Sequence, residues 1–287
     1  MQNDKEIQRQ IDDALLRIKR GWTFGFKNID KLAGRFEKGQ VIVVGGMTGT
    51  GKSYFIINMI EGIKKEARTV KIEGYIQPKI LVLTTEMDSI SYEKRYICLK
   101  ARTYWNVFLE NPENYYEEIQ KAKEEFYADQ FVNPSFLQIR QINALEDIQK
   151  VLSELEDKPN IVIIDHVQNL SVKGKSDNKE TMATIGNVVR DIAIKNGVAL
   201  ICVSQINLSI LGKDNNPKHT NVQPFSWGKE LLQSAHTALL LNRQIEDGKM
   251  SEYLQVGVIK AREGNKGWLE MLVTNGFNLV EETNGRP

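Results

Sequence analysis

The chain has 287 residues, of which 41% are apolar and 26% are charged, and its formal net charge is +1 at pH 7. This length fits one large α/β domain with a short appendage, or two small domains. No stretch approaches the roughly 18 consecutive apolar residues that a membrane span needs, so we expect no membrane partner. A net charge near zero leaves nucleic-acid binding open, but any such site must be local or be repeated around an oligomer.

The N-terminus and the cysteines predict the compartment. Residues from Met1 to Lys5 are polar and charged, without the hydrophobic region of a secretory signal. The two cysteines, Cys98 and Cys202, lie in apolar contexts and lack the spacing of metal ligands. We therefore expect a reduced, cytoplasmic location.

The first twenty residues carry four apolar side chains at helical spacing: Ile7, Ile11, Leu15 and Ile18. This pattern predicts an amphipathic helix over residues 4–20 with one narrow apolar stripe. A lone helix of this length is marginal in water, so the stripe must dock either on its own domain or on a neighbouring subunit. We expect residues 1–20 to be a linker or docking helix and residues 21–287 to form the main domain.

From Gln40 onward, short apolar runs alternate with longer amphipathic stretches. The apolar runs are Val41–Val44, Ile80–Leu83, Phe136–Ile139, Ile161–Ile164 and Val198–Val203. The helical stretches fall near 52–66, 89–103, 113–128, 144–156 and 179–196. Nearly continuous apolar strands joined by helices predict an α/β fold with a buried, mostly parallel sheet. Within it, residues 104–133, with Trp105 and Phe126 among many acids, are a helical insertion that is either a solvated surface or a partner site.

The sequence changes character after residue 236. Three apolar runs follow, with Gly and Asn between them: Thr237–Leu241, Tyr253–Ile259 and Leu269–Val273. We expect these runs to be antiparallel strands added at the C-terminal edge of the sheet.

One segment matches the phosphate-binding pattern GxxxxGK[ST] in full: Gly46-Met47-Thr48-Gly49-Thr50-Gly51-Lys52-Ser53. The apolar run Val41–Val44 precedes it, and isoleucines at helical spacing follow it, so the strand–loop–helix context also fits. Glycines let backbone N–H groups surround the phosphates, Lys52 neutralises phosphate oxygens, and the Ser53 hydroxyl binds Mg²⁺. The predicted nucleotide-binding residues are Gly46, Thr48, Gly49, Thr50, Gly51, Lys52 and Ser53.

Two acids follow apolar strands. Asp165 directly follows the apolar run Ile161–Ile164 and lies about 120 residues after the phosphate loop. An acid at this place in a P-loop protein supports Mg²⁺ together with the hydroxyl of Ser53. Glu86 follows the run Ile80–Leu83, and parallel strand ends share one edge of the sheet. Glu86 is therefore either the base that activates water or an ordinary acid at the start of a helix.

Several segments, in order along nearly the whole chain, resemble DnaB-type replicative DNA helicases. Thr23–Gly34 is similar to that family's "TGFDDLDRLTGG", and Thr85-Glu86-Met87 with Arg95 is similar to its "EM" segment. Asp165–Leu170 is similar to "DYLQLM", with His166 in place of Tyr, and Asn178–Glu180 is similar to "NRQQEI". Val203–Asn207 is similar to "LSQLN", and Ile259–Gly264 is similar to "AKQRNG". The resemblance runs from about residue 20 to 281. It implies a RecA-like P-loop ATPase core that binds ATP and Mg²⁺.

The same resemblance implies roles for individual residues. Glu86 would be the catalytic base, and Gln205, at the end of a buried strand, would sense the γ-phosphate. Lys260 and Arg262, two residues apart on a predicted strand, would enter the ATP site of the neighbouring subunit and stabilise transition-state charge. Without the resemblance, a strand-end amide and two solvated cations are the ordinary interpretations.

Two basic loops follow the predicted strands that end at Asp165 and at Gln205, and both are candidates for binding the phosphates of a nucleic acid. The candidate residues are Lys173, Lys175 and Lys179 in the first loop, and Lys213 and Lys218 in the second. Surface lysines are commonly only solvated, which remains the alternative. Six copies of such loops would line a basic channel in an otherwise neutral protein.

The predicted function is an ATP-dependent DNA helicase motor that moves on single-stranded DNA as a ring. The expected oligomer is a homo-hexamer, and a primase or a helicase loader is a candidate partner. Leu208 replaces the family's Arg, and Ser226–His236 is more similar to RecA-type recombinases. The family's N-terminal primase-interacting domain is expected to be absent, a short form that suits a bacteriophage-encoded protein. A filament-forming recombination or annealing ATPase, a signalling ATPase of the KaiC kind and a nucleotide-binding module without turnover are the alternatives.

Overall fold

A computed structural model describes residues 2–132, 136–206, 229–246 and 249–281 of the chain. The helices are α1 (Gln2–Arg20), α2 (Lys27–Ala33), α3 (Lys52–Thr69), α4 (Ser89–Lys100), α5 (Trp105–Glu110), α6 (Pro112–Val132), α7 (Leu145–Glu154), α8 (Asn178–Asn196) and α9 (Lys229–Ser234). The strands are β1 (Gly21–Trp22), β2 (Phe36–Glu37), β3 (Val41–Gly46), β4 (Ile80–Thr84), β5 (Leu137–Gln141), β6 (Ile161–Asp165), β7 (Ala199–Gln205), β8 (Thr237–Asn242), β9 (Ile245–Glu246), β10 (Lys249–Met250), β11 (Tyr253–Ala261), β12 (Gly267–Thr274) and β13 (Asn278–Glu281).

Nine of these strands form one sheet in the order β13-β12-β11-β8-β3-β7-β6-β4-β5. The six strands from β8 to β5 run parallel to one another. Both faces are covered, by α3 and α4 on one side and by α7 and α8 on the other. Because both faces are buried, the central strands can be apolar at every position, and the predicted α/β class with a mostly parallel sheet is confirmed.

The expectation of antiparallel C-terminal strands is correct for β11 and β12 but wrong for β8, and β13 is a further antiparallel strand that was not predicted. Val44 of β3 pairs with Leu239 of β8 in a parallel register, whereas β11 pairs antiparallel with β8. The chain returns to the amino end of β3 before β8, since the His236 N–H donates to the Val41 carbonyl at 2.7 Å. All six residues of β8 are buried, as in a central parallel strand, so Thr237–Leu241 belongs to the core of the sheet.

The predicted helical insertion at residues 104–133 is confirmed as α5 and α6. Its aromatic residues divide into two groups, because Trp105 and Tyr116 are exposed while Phe126 is buried. The Phe126 ring lies 5.0 Å from that of Tyr96, centroid to centroid, which ties α6 to α4. The expectation of a solvated surface is therefore wrong for Phe126.

The predicted N-terminal helix is confirmed as α1, which ends at Arg20 just before β1. Its apolar stripe is exposed in the single chain, with 56% of Ile7 accessible and Ile11 and Leu15 also exposed. Among the described residues, no helix has both the length and the apolar character needed to cross a bilayer.

Candidate active site

The phosphate loop joins the carboxyl end of β3 to the first residue of α3. Gly49 and Gly51 have φ angles of +82° and +91°, which side chains rarely adopt, and a Cβ on Gly51 would lie 2.0 Å from the Phe277 ring. The Thr50 hydroxyl donates to the Met47 carbonyl at 2.8 Å and closes the loop. The sequence from Gly46 to Ser53 thus folds into the strand–loop–helix unit that its pattern predicts.

Lys52 is buried at the start of α3 and points back into the loop. Its Nζ atom donates to the carbonyls of Gly46 and Met47 at 3.0 and 2.8 Å. Burial is the larger effect and lowers the pKa of Lys52 to about 8, although the carboxylates of Asp165 and Glu86 act in the opposite direction. A bound phosphate would supply the anionic partner that these neutral carbonyls do not provide.

Asp165 ends β6, and its side chain is only 1% accessible. Burial raises its pKa to about 6, against the lowering effects of the Ser53 hydroxyl, Lys52 and Arg95. Beyond a contact of Oδ1 with His166 at 2.8 Å, neither carboxylate oxygen has a hydrogen-bond partner of good geometry among the described residues. A buried carboxylate of this kind beside the Ser53 hydroxyl fits a bound Mg²⁺, which prefers oxygen ligands.

Glu86 lies just beyond the carboxyl end of β4, over the same edge of the sheet. Thr84 of β4 pairs with Asp165 of β6, and the Thr85 N–H donates to the Asp165 carbonyl at 2.9 Å, so the two strand ends are tied together. The Glu86 side chain remains 57% accessible. Asp88 is the residue that caps α4, accepting from the Ser91 N–H at 2.7 Å, which leaves Glu86 free of the capping role.

His166 is a residue of the site that the sequence does not single out except as a departure from the helicase segment. Its Nδ1 atom lies 3.1 Å from Oε2 of Glu86, and its Nε2 atom lies 2.8 Å from Oδ1 of Asp165. Burial lowers the pKa of His166 to about 4, so the imidazole is neutral at pH 7. The side chain therefore lies between the two acids that the sequence predicts.

Gln205 is the exposed last residue of β7 and pairs with Gly46 of β3, so it lies beside the phosphate loop. Its backbone carbonyl accepts from Nε2 of Gln168 at 2.9 Å. Gln205 and Thr48 also line a cavity of about 660 Å³ that Lys175 borders. This position suits a side chain that senses the γ-phosphate, and the sensor role stays a prediction.

Arg243 lies over the buried ring of Phe277 beside the phosphate loop, an arrangement that the sequence does not reveal and that is called the Arg243–Phe277 surface below. The Arg243 guanidinium lies 5.1 Å from the Phe277 ring centroid, and the Tyr54 ring stacks on Phe277 at 4.8 Å. Phe277 has a positive φ of 61° within an Asn-Gly-Phe-Asn turn, and no motif marks it. Stacked planar groups beside Gly51 are suited to hold the base of a nucleotide.

Lys260 and Arg262 lie toward the opposite edge of the sheet from the phosphate loop. Lys260 pairs with Ala238, which pairs with Val43 near the amino end of β3. The Nζ atom of Lys260 donates to the carbonyls of Leu232 and Gln233 at 2.7 and 2.9 Å, at the end of α9.

Arg262 is exposed and follows the last residue of β11, so the expectation that both cations lie on a strand is wrong for Arg262. Burial lowers the pKa of Lys260, and the positive charge of Arg262 lowers it further. Both side chains lie away from the chain's own phosphate loop.

The first basic loop lies between β6 and α8. Lys175 forms an exposed ion pair with Glu180 at 3.1 Å, while Lys173 and Lys179 are exposed. The second loop, with Lys213 and Lys218, lies outside the described residues. The structure thus brings Lys52, Ser53, Asp165, Glu86 and Gln205 to one edge of the sheet and leaves Lys260 and Arg262 toward the other.

Comparisons with known proteins agree with this architecture. The family model described as "DnaB-like helicase C terminal domain" matches residues 21–282. The replicative DNA helicase DnaB of Helicobacter pylori is 23% identical over 275 residues, which cover 90% of this chain and 54% of that protein. The DnaB of Mycoplasma pneumoniae is 22% identical over 261 residues, which cover 86% of this chain and 53% of that protein. The chain spans about half the length of these relatives.

Two solved structures share the fold. One, described as an ATPase domain, superposes with a TM-score of 0.75 at 16% identity, covering 98% of each chain. A DnaB-like replicative helicase, studied with its primase interactions, has a TM-score of 0.72 at 17% identity and covers 91% of this chain and 63% of that one. The fold is therefore the RecA-like ATPase core, as the sequence predicts. With a family model matched across residues 21–282, the chain belongs to the DnaB-like helicase C-terminal domain family.

Proposed function

We propose that the chain is the ATPase motor of a DNA helicase, which hydrolyses MgATP between the subunits of a ring and moves along single-stranded DNA. The observation that carries the proposal is the division of the predicted catalytic groups between two edges of the sheet. Lys52, Asp165 and Glu86 converge at the carboxyl ends of the strands. The cations Lys260 and Arg262 lie toward the amino ends, where a neighbouring subunit could use them.

The chemistry follows from these positions. The loop N–H groups and Lys52 hold the phosphates, while Ser53 and Asp165 would hold Mg²⁺, which neutralises phosphate charge when bound. Glu86 orients water for in-line attack on the γ-phosphate and accepts its proton. Gln205, beside Gly46, then links the loss of that phosphate to the segment that follows β7.

A homo-hexamer would complete each site with a neighbour's cations and would bring the basic loops together. Lys173, Lys175 and Lys179, together with Lys213 and Lys218, would grip the sugar–phosphate backbone of single-stranded DNA with little sequence preference. The helicase with primase interactions that shares this fold makes a primase a further candidate partner.

A fork-unwinding assay combined with electron microscopy of the oligomer tests the proposal. We expect rings that unwind a forked duplex and an ATPase rate that single-stranded DNA stimulates. Helical filaments without unwinding would indicate a recombination or annealing ATPase. Turnover that ignores DNA would indicate a signalling ATPase, and ATP binding without turnover would indicate a simple binding module.

The Arg243–Phe277 surface predicts how the base is held. Phe277→Leu is expected to raise the KM for ATP about tenfold, because the buried ring supports the Arg243 guanidinium on which the base would stack, and stacking on a base contributes roughly 1–3 kcal/mol. The kcat should change less than about twofold, since the surface does not touch the γ-phosphate. Phe277→Tyr, which keeps the aromatic face, is the control in a steady-state assay. An unchanged KM in Phe277→Leu would remove the surface from the nucleotide site.

The exposed stripe of α1 predicts an intersubunit contact. Replacing both Ile7 and Ile11 with Asp is expected to disperse the oligomer, because two charges cannot be buried against a neighbour's apolar surface. Arg9→Asp makes the same change in net charge on the opposite face of α1 and should leave assembly intact. Light scattering after size-exclusion chromatography distinguishes the two. Equal assembly of both variants would contradict docking on a neighbour.

A further inference from the structure

His166 occupies an unusual position between the two acids of the site. The side chain is 8% accessible, and each of its nitrogens lies within hydrogen-bond distance of a different carboxylate. The geometry of these two contacts is not that of hydrogen bonds, and neither nitrogen has a hydrogen-bond partner among the described residues. A neutral imidazole carries one N–H, so His166 can donate a hydrogen bond to only one of the two carboxylates.

The backbone of His166 is held firmly. Its N–H donates to the Thr85 hydroxyl at 2.9 Å, and its carbonyl accepts from the same hydroxyl at 2.8 Å. Thr85 is also the residue that immediately precedes Glu86. The hydrogen bonds between Thr85 and the His166 backbone therefore fix the positions of the imidazole and of Glu86 relative to each other at the ends of β4 and β6.

The side chains of Asp165 and Glu86 differ in how firmly the surrounding structure already holds them. Asp165 is 1% accessible and sits at the end of a central strand, so packing already fixes its side chain. Glu86 is more than half accessible, and among the described residues only His166 lies within ion-pair distance of its carboxylate. A flexible base loses efficiency, since a misplacement of about 1 Å can lower a rate about 10²-fold.

We propose that His166 is a positioning residue, whose Nδ1 atom holds the Glu86 carboxylate over the site of γ-phosphate attack. The inference deepens the proposed ATP hydrolysis and rests on it. His166 touches neither nucleotide nor water in this role and acts only through Glu86. In this role Nδ1 carries the imidazole proton, and its 3.1 Å contact with Oε2 of Glu86 becomes an aligned hydrogen bond in the substrate complex.

Three substitutions at His166 test which nitrogen matters. His166→Leu keeps the approximate size and removes both nitrogens, whereas Asn places an amide near Nδ1 and Gln places one near Nε2. We expect the Leu variant to lower kcat about ten- to a hundredfold, with the KM for ATP and the Kd of a fluorescent ATP analogue within about twofold of the parent. Asn should restore kcat better than Gln.

A double-mutant cycle separates positioning from a structural role. In a Glu86→Gln background, His166→Leu should cause no further loss of kcat, because the carboxylate that it positions is already gone. Val167→Ala, a cavity in the apolar core one residue away, is the matched control. It should lower Tm without the selective loss of kcat.

The outcomes distinguish this inference from the proposed function. Absence of ATP turnover by the unaltered chain in any assembled state would overturn the proposed function and this inference with it. Normal turnover by the unaltered chain, together with full kcat in His166→Leu or better rescue by Gln than by Asn, would overturn the positioning role alone. Additive losses in the double-mutant cycle would do the same.

Discussion

Glu86→Gln is expected to lower the kcat for ATP hydrolysis by about 10²–10⁴-fold, the range that a general base contributes. The amide keeps the size of the side chain and its place beyond β4, but it cannot accept a proton from water. Binding of ATP should persist, because Lys52 and the phosphate loop are separate from Glu86 and remain intact.

Two measurements check this expectation. Phosphate release reports kcat, and titration with a fluorescent ATP analogue reports binding. Glu93→Gln removes a carboxylate from the following helix, where it accepts a hydrogen bond from Tyr127, and should retain activity. A fully active Glu86→Gln variant would leave Glu86 as an acid without a catalytic role.

The parts of the site that the sequence predicts are those encoded by contiguous residues. Gly46 to Ser53 specify their own loop, since the positive φ angles of Gly49 and Gly51 and the helix start at Lys52 are local properties. Asp165 and Glu86 could be paired in advance because parallel strands place their carboxyl ends at one edge. The apolar runs and their order are sufficient to predict this pairing.

The missed features depend on contacts that are distant in sequence. Phe277 lies against Gly51 because the turn between β12 and β13 packs on the phosphate loop. The sequence around Phe277 indicates only a turn. Thr237–Leu241 was expected at an antiparallel edge because Gly- and Asn-containing turns follow it. Its neighbours are set instead by α9, which packs on α8 through a hydrogen bond from the Ser234 hydroxyl to the Gly186 carbonyl and leads the chain to the amino end of β3.

Arg262→Ala is expected to reduce ATP turnover in the assembled protein by about 10³–10⁵-fold, the effect of an arginine finger in related phosphoryl-transfer sites. Arg262 is exposed beyond β11, so its loss should affect neither the fold nor nucleotide binding. Arg262→Lys keeps the charge but loses the planar fork and should recover only part of the rate. Full turnover by the Ala variant would reject the finger.

A mixing experiment shows whether Arg262 acts on the neighbour's nucleotide. Glu86→Gln and Arg262→Ala subunits are each inactive alone, but an interface between them can join an intact Glu86 to an intact Arg262. About a quarter of the interfaces in a randomly mixed ring have this arrangement, so hydrolysis should return when the two variants assemble together. If both groups acted within one chain, every subunit in the mixture would lack one of them and no activity would return. Recovery therefore requires a site shared between two copies of the chain, and its absence would place Arg262 outside the neighbour's site.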